Sequence, residues 1–228
     1  MQSDYQIQNA ARAIITFTDS YAQNKQGKQN KQSDSEPTPS LVEISAYLYY
    51  LRDQIWDNIA CKSVTQIPTL LRSLSALVTF RLGNRIDLDV DNQRLEIRIW
   101  SRDCLSLIQE YGDEQNQTEL INNGYGRVMS ITFSTAGGIG EEQDQEIFYG
   151  LNCIYWFLKD LYQGRNNDYK PSFQPLPLLA RNTEEQMEEE GANEEIEAQM
   201  KNNGNNGKIL DYANYAKATI LNLFIRRR

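Results

Sequence analysis

Trp156 and Asp160 are a pair of side chains whose chemistry suits the recognition of a cation. They lie four residues apart in the segment YWFLKDL, so a helix would place them on one side, one turn apart. The face of an indole ring attracts a cation, and a carboxylate accepts a charged hydrogen bond from it. The pair therefore predicts a site for a cationic or aromatic-capped side chain. The alternative is that Trp156 packs against a neighbouring helix.

Histidine is absent from the 228 residues, and this limits the chemistry that the chain can perform. Ser-His-Asp and Cys-His mechanisms are excluded, as are zinc sites that need histidine. The spacing of Cys61, Cys104 and Cys153 fits neither a disulfide framework nor a metal site. The glycines of residues 137–140 lack the Lys-Ser/Thr of a phosphate-binding loop. We therefore predict no enzyme activity, no metal and no cofactor, with carboxylate-based catalysis as the alternative.

Eight acidic residues crowd the segment 184–197, which contains no basic residue. The whole chain has 23 Lys and Arg against 31 Asp and Glu, a net charge of −8, so the remainder is neutral. This balance disfavours non-specific binding to nucleic acid or to an anionic membrane. The acidic segment is interpreted as a solvated helix face, with a site for a basic partner as the alternative.

Two segments interrupt the regular pattern of the chain. Residues 24–40 are poor in apolar side chains and predict a flexible loop, with a weak nuclear-import signal at its spaced lysines as the less favoured alternative. Residues 164–177 contain three prolines and predict a linker. No stretch is long and apolar enough to span a membrane, and we see no secretory signal. We therefore predict an intracellular, cytoplasmic protein, with the nucleus as an alternative.

Between these interruptions, apolar residues recur at intervals of three and four, which predicts an all-α fold. Four segments follow the apolar spacing +0, +4, +7, +11 and +14, starting at Ile44, Ile97, Ile147 and Ile209, with Asn58 and Ser101 as polar exceptions in the first two. Successive starts lie 50 to 62 residues apart. Helical units that recur at such a distance indicate an α-solenoid.

The stretch 116–162 resembles an armadillo repeat. A short helix led by Asn116 reaches Ile121 and breaks at Gly124, a middle helix follows, and a long third helix carries the small residue Gly150 near its start. The match to the repeat is close in this one unit and becomes weaker over the rest of the chain. HEAT-type helix pairs and a generic helical bundle are the alternatives.

The resemblance implies that residues 1–228 form a single domain, a right-handed α-solenoid of about four armadillo-like repeats, one a close match and the rest degenerate. In such a solenoid the third helices line a concave groove that binds a protein or an extended peptide without a cofactor. Positions five, nine and thirteen residues after each start would line this groove. The predicted partner-binding residues are Arg102, Asn152, Trp156, Asp160, Asn214 and Asn222.

Nuclear-import adaptors of the armadillo family line this groove with a Trp and an Asn one turn apart. The Asn holds the peptide backbone, and the Trp rings flank lysine side chains. Here Asp160 stands where the Asn would be, and the pair occurs only once. The resemblance therefore implies a groove, and the import function is the less favoured alternative.

Two functional hypotheses follow. The first is a non-enzymatic protein–protein interaction module that binds a partner along the groove. The second is a structural or scaffold subunit that docks through its solenoid ends. The first helix has an apolar face without an obvious cap, so another chain would cover the N-terminal end. This face comprises Ile7, Ala11, Ile14 and Phe17. Trp56 and Trp100 are expected in the core.

Overall fold

The computed structural model describes residues 2–25, 39–56, 61–80, 88–134 and 143–222. These residues form eleven α-helices and one short 3-10 helix, with no β-strand among them, which confirms the all-α prediction. The chain divides into two compact units, of which unit 1 ends at Tyr111 and unit 2 continues from Gly112. Each unit has its own core.

Unit 1 contains five helices, α1 (Gln2–Lys25), α2 (Leu41–Trp56), α3 (Cys61–Thr65), α4 (Leu70–Val78) and α5 (Leu88–Tyr111). Helix α2 packs against α5, α1 packs on α2 and α4, and α4 packs on α5. The predicted core positions Ile44, Leu48, Leu51 and Ile55 of α2 are all fully buried.

The apolar face of α1 is buried inside unit 1. Ile7, Ala11, Ile14 and Phe17 are at most 8% exposed, and the ring of Phe17 lies 5.5 Å from that of Phe80. Because α2 and α4 already pack on α1, no second chain is needed to cover this face. The prediction of an uncovered N-terminal face is therefore wrong.

Unit 2 contains six helices in two successive sets, each with two shorter helices and then a longer one. The first set is α6 (Glu114–Asn122), α7 (Tyr125–Phe133) and α8 (Asp144–Gln163). The second set is α9 (Pro177–Glu189), α10 (Ala192–Gln199) and α11 (Lys208–Asn222), the last preceded by the 3-10 helix Asn205–Gly207. The two long helices, α8 and α11, pack against each other, α7 packs on α8 and α9, and α10 packs on α11.

Gly124 and Gly191 occupy the same place in the two sets. Each has a positive φ, 77° and 68° respectively, and directly precedes the second helix of its set. This left-handed conformation favours glycine because a Cβ would clash with the backbone. The predicted break at Gly124 is confirmed. Asn116 is not the first residue of α6, because Asp113 caps the helix and exchanges hydrogen bonds with Asn116 in a capping box.

The predicted linker, residues 164–177, is held against unit 2. Arg165 and Phe173 form an antiparallel bridge with two N–H to O=C bonds of 2.9 Å, and the amide of Leu176 donates to the carbonyl of Leu161. Pro177 then begins α9. Most of the predicted loop 24–40 lies outside the described residues.

Candidate functional site

Six aromatic side chains form a continuous cluster on one side of α8 and α11. Centroids of contacting rings lie 5.0 to 5.9 Å apart, within the range of favourable aromatic pairs. The core stripe of α8, which includes Leu151, Ile154 and Leu158, is fully buried on another side of the helix. We call the six the ring cluster: Phe148, Tyr149, Tyr155, Trp156, Tyr212 and Tyr215.

Three inner rings join the two helices. Phe148 meets Tyr212 edge to face at 5.1 Å and 90°, and Tyr155 meets Tyr212 at 5.9 Å. All three are half-buried. Each such pair stabilises by about 0.5–1.5 kcal/mol beyond its buried area. The inner rings therefore fix the position of α11 on α8.

Three outer rings extend this surface into solvent. Tyr149, Trp156 and Tyr215 are 40%, 42% and 50% exposed. The contacts between α8 and α11 do not require this exposed area. Contiguous exposed aromatic surface is typical of protein interaction sites, where Tyr and Trp are enriched.

Two lysines lie over rings of the cluster. The Nζ atom of Lys159 is 4.3 Å from the Trp156 ring centroid and 5.6 Å from that of Tyr155. The Nζ atom of Lys208 is 5.7 Å from the Phe148 ring centroid. These are cation–π distances, so the chain itself supplies the cations that its ring faces attract.

Asp160 is engaged by a buried arginine. Its Oδ2 lies 3.1 Å from Nε of Arg165, whose Nη1 also donates to the carbonyl of Gly112. The guanidinium lies 4.6 Å from the Phe173 ring centroid. Burial raises the pKa of Asp160 above its ordinary value, and the charge of Arg165 opposes this shift. Both members of the predicted Trp156 and Asp160 site are therefore occupied, Trp156 by Lys159 and Asp160 by Arg165.

Three of the remaining predicted residues lie on α8 and α11. Asn152 is half-buried on α8, one turn before Trp156, and its Oδ1 is buried without a hydrogen-bond partner among the described residues. Asn214 donates through Nδ2 to the carbonyl of Leu210 in its own helix. The side chain of Asn222 lies outside the described residues.

Arg102 does not lie on an exposed surface. Its side chain is buried, with Nη2 3.9 Å from Oδ1 of Asp103. The neighbouring residue Ser101 is a fully buried core position, so Arg102 sits at the edge of the core face of α5. The prediction of an exposed Arg102 is therefore wrong.

A second group of rings lies on α2 and α5 of unit 1, where Tyr49 and Trp56 of α2 are exposed and Trp100 of α5 is half-buried rather than in the core as expected. Tyr49 is 47% exposed and meets Trp100 edge to face at 5.1 Å. Trp56 is 52% exposed, with the Arg52 guanidinium 5.4 Å from its ring centroid. The expectation that Trp56 is core is wrong, because Ile55 takes the buried position and the next residue turns about 100° away from it.

Five residues of the ring cluster were not predicted as site residues. The predicted positions follow a stripe five, nine and thirteen residues after the core start, whereas the inner rings lie nearer to the core stripe. The signal available was the pattern of aromatic residues itself, which recurs at intervals of three in DYANY on α11. The five residues are Phe148, Tyr149, Tyr155, Tyr212 and Tyr215.

The acidic segment 184–197 lies on α9 and α10, and several of its carboxylates are paired within unit 2. Arg127 binds both Glu189 and Glu190, and Nζ of Lys217 lies 2.7 Å from Oε1 of Glu197. Such exposed pairs each contribute little stability, at most about 1 kcal/mol. They nevertheless reduce the charge that the segment presents to a basic partner.

Comparison with known proteins gives no relative: no protein-family model matches the chain, and a search of curated proteins finds no significant match. Within the described residues, no helix is both long and apolar enough to cross a membrane. Nor does that part of the chain bring together three or more Cys, Asp or Glu side chains that could hold a metal ion.

Proposed function

We propose that the protein is a non-enzymatic interaction module that binds a segment of another protein across the ring cluster. The observation that carries this proposal is the exposed area of Tyr149, Trp156 and Tyr215, each 40% or more open to solvent on a connected aromatic surface. Tyr and Trp bring large, rigid contact area at a low cost in conformational entropy. They also dominate the residues that contribute most to binding energy at interfaces.

The arrangement of helices supports an armadillo-type repeat in unit 2. Two sets of two shorter helices and one longer helix follow each other, with Gly124 and Gly191 at corresponding junctions. The long helices of the two sets lie side by side. In a solenoid of this type the long third helices line the concave face, so the ring cluster would lie in the groove.

Affinity capture from cell extract tests this function. The bait proteins are the wild type, the variant Trp156→Ala/Tyr215→Ala, and the control variant Tyr5→Ala/Tyr169→Ala, whose side chains are 75% and 86% exposed elsewhere. All four positions are solvent-exposed, so each variant keeps the core and its helical circular dichroism signal.

We expect a partner that the wild type and the control capture and that the ring variant loses. Removal of two anchor rings from an interface weakens binding by about 2 kcal/mol or more, roughly 30-fold. Identical capture by all three proteins would show that the ring cluster is not the binding surface.

A further inference from the structure

We infer that the segment bound by the ring cluster is an acidic one, with carboxylates that contact Lys159 and Lys208. This inference rests on the proposed function and adds the chemistry of the partner. It starts from the two lysine side chains that lie over the cluster.

The ammonium groups of Lys159 and Lys208 lie over ring faces, and the charge of Lys159 also acts on the neighbouring Asp160. Among the described residues, no carboxylate lies within ion-pair distance of either ammonium group. A ring face covers one side of an ammonium group and is not a conventional hydrogen-bond acceptor for its three N–H donors. The other side of each group can therefore bind a carboxylate of a partner.

Some of the charges near the cluster are paired within the chain, Asp160 with Arg165 and Lys217 with Glu197. Asp211 on α11 and Asp144 at the start of α8 are exposed acids, and neither lies within ion-pair distance of Lys208. Asp144 accepts a hydrogen bond from the backbone amide of Asn205. The ring cluster thus presents two ammonium groups on an aromatic surface, although the chain as a whole carries a net charge of −8. At physiological ionic strength the Debye length is about 8 Å, so acids farther away than this have little effect on a carboxylate that approaches the lysines.

The separation of the ring faces under the two lysines gives the approximate separation of the acids. Lys208 lies over Phe148, and Lys159 lies over Tyr155 and Trp156. These rings are separated by seven or eight residues of α8, which is about 11 Å along the helix axis. An extended peptide covers this distance in about three to four residues. The partner segment would carry two carboxylates at that separation, with apolar or aromatic side chains between them.

A basic segment meets two obstacles at the same surface. Its cations would have to displace Lys159 from the Trp156 face, and they would approach two like charges. A neutral segment avoids the repulsion but gains no ion pair. Of acidic, neutral and basic segments, the acidic one therefore gains the most binding energy from the lysines.

Selection from a random linear peptide library tests this inference. The wild-type chain selects binders, with the variant Trp156→Ala/Tyr215→Ala used to remove peptides that bind elsewhere. The selected peptides are then titrated against the wild type, Lys159→Glu, Lys208→Glu and the control Lys201→Glu, which makes the same charge change at an exposed lysine after α10.

We expect the selected peptides to be enriched in Asp and Glu and to bind Lys159→Glu and Lys208→Glu at least about fivefold more weakly than the wild type. Lys201→Glu should bind them as the wild type does. Peptides that depend on the rings but are neutral or basic would overturn the inference and leave the proposed function standing. A selection that yields no ring-dependent peptide would overturn both.

Discussion

Thr69 has a backbone conformation that its side chain disfavours. It precedes α4 with φ 66° and ψ −10°, and its hydroxyl makes no capping hydrogen bond. The left-handed conformation costs an L-residue about 1–2 kcal/mol, and glycine avoids this cost but loses about 0.5–1 kcal/mol in entropy. We expect Thr69→Gly to stabilise the protein by about 0.5–1 kcal/mol in urea denaturation. Thr69→Ala, which keeps the Cβ, is the control, and an equal gain in that variant would contradict the argument.

Glu184 makes the stability of the protein depend on pH, which is again an effect of a single residue. Burial raises its pKa above the ordinary value of 4.5, and the hydrogen bond from the Tyr162 hydroxyl, 2.6 Å long, opposes the shift. A raised pKa means that the folded state favours the protonated form, so stability falls as the pH rises from 4.5 through the raised value.

Glu184→Gln removes this titration. The free energy of unfolding of the wild type, relative to the Gln variant, should therefore decrease as the pH rises above the ordinary pKa of 4.5. Parallel pH profiles for the two proteins would show that the carboxyl group does not titrate with a raised pKa.

At the scale of the elements, Gly150 sets the contact between α7 and α8. A Cβ at this position would collide with Oγ1 of Thr132 and lie 3.2 Å from Cδ1 of Phe133. Alanine gains about 1 kcal/mol in helix propensity over glycine, but overpacking costs about 1–3 kcal/mol. We expect Gly150→Ala to destabilise the protein by about 1 kcal/mol or more.

The double variant Gly150→Ala/Thr132→Ala provides the matched test of this contact. Removal of Oγ1 clears the nearest atom, so the double variant should lose less stability than the sum of the two single variants. The stabilities are measured by thermal unfolding. If the losses of the two single variants simply add in the double variant, the contact with Thr132 is not the cause of the destabilisation by Gly150→Ala.

The helices could be predicted from the sequence where the apolar spacing is regular and a glycine marks the helix end. The apolar stripe of α8, from Ile147 to Leu161, and the break at Gly124 follow from spacing and from the conformational freedom of glycine, and both are confirmed. The beginning of α5 gives a weaker signal, because acidic and apolar residues alternate from Leu88 to Asp91 before the helical spacing becomes clear.

The site was less predictable, because its chemistry depends on contacts between elements. Trp156 and Asp160 share a stripe of α8, as predicted, yet Arg165 from the following segment binds Asp160. Lys159 was visible in the sequence, but only its side-chain conformation places it over Trp156. The rings of α11 join those of α8 through helix packing, which no spacing within either helix indicates.

At the scale of the whole molecule, the two compact units suggest a test of the prediction that residues 1–228 form a single domain. Unit 2 has its own core, with Tyr125, Phe157 and Ile196 fully buried. A segment of this size with its own core can fold alone. We expect the fragment 112–228 to show a helical circular dichroism signal and one cooperative unfolding transition.

The same fragment should select the same peptides as the full chain, because the whole ring cluster belongs to unit 2. A fragment without helical signal would show instead that the two units fold as one domain. A folded fragment that binds none of the peptides would show that binding needs residues of unit 1.

The position of Trp156 has a spectroscopic consequence. Of the three tryptophans in the chain, Trp56 and Trp100 belong to unit 1, so the fragment 112–228 has one indole, and it lies in the ring cluster. A ligand that covers this ring removes water from it and shifts its emission to shorter wavelength, and any movement of the Lys159 ammonium changes the emission intensity. The protein therefore carries an intrinsic fluorophore whose signal reports occupancy of its own binding surface without a label.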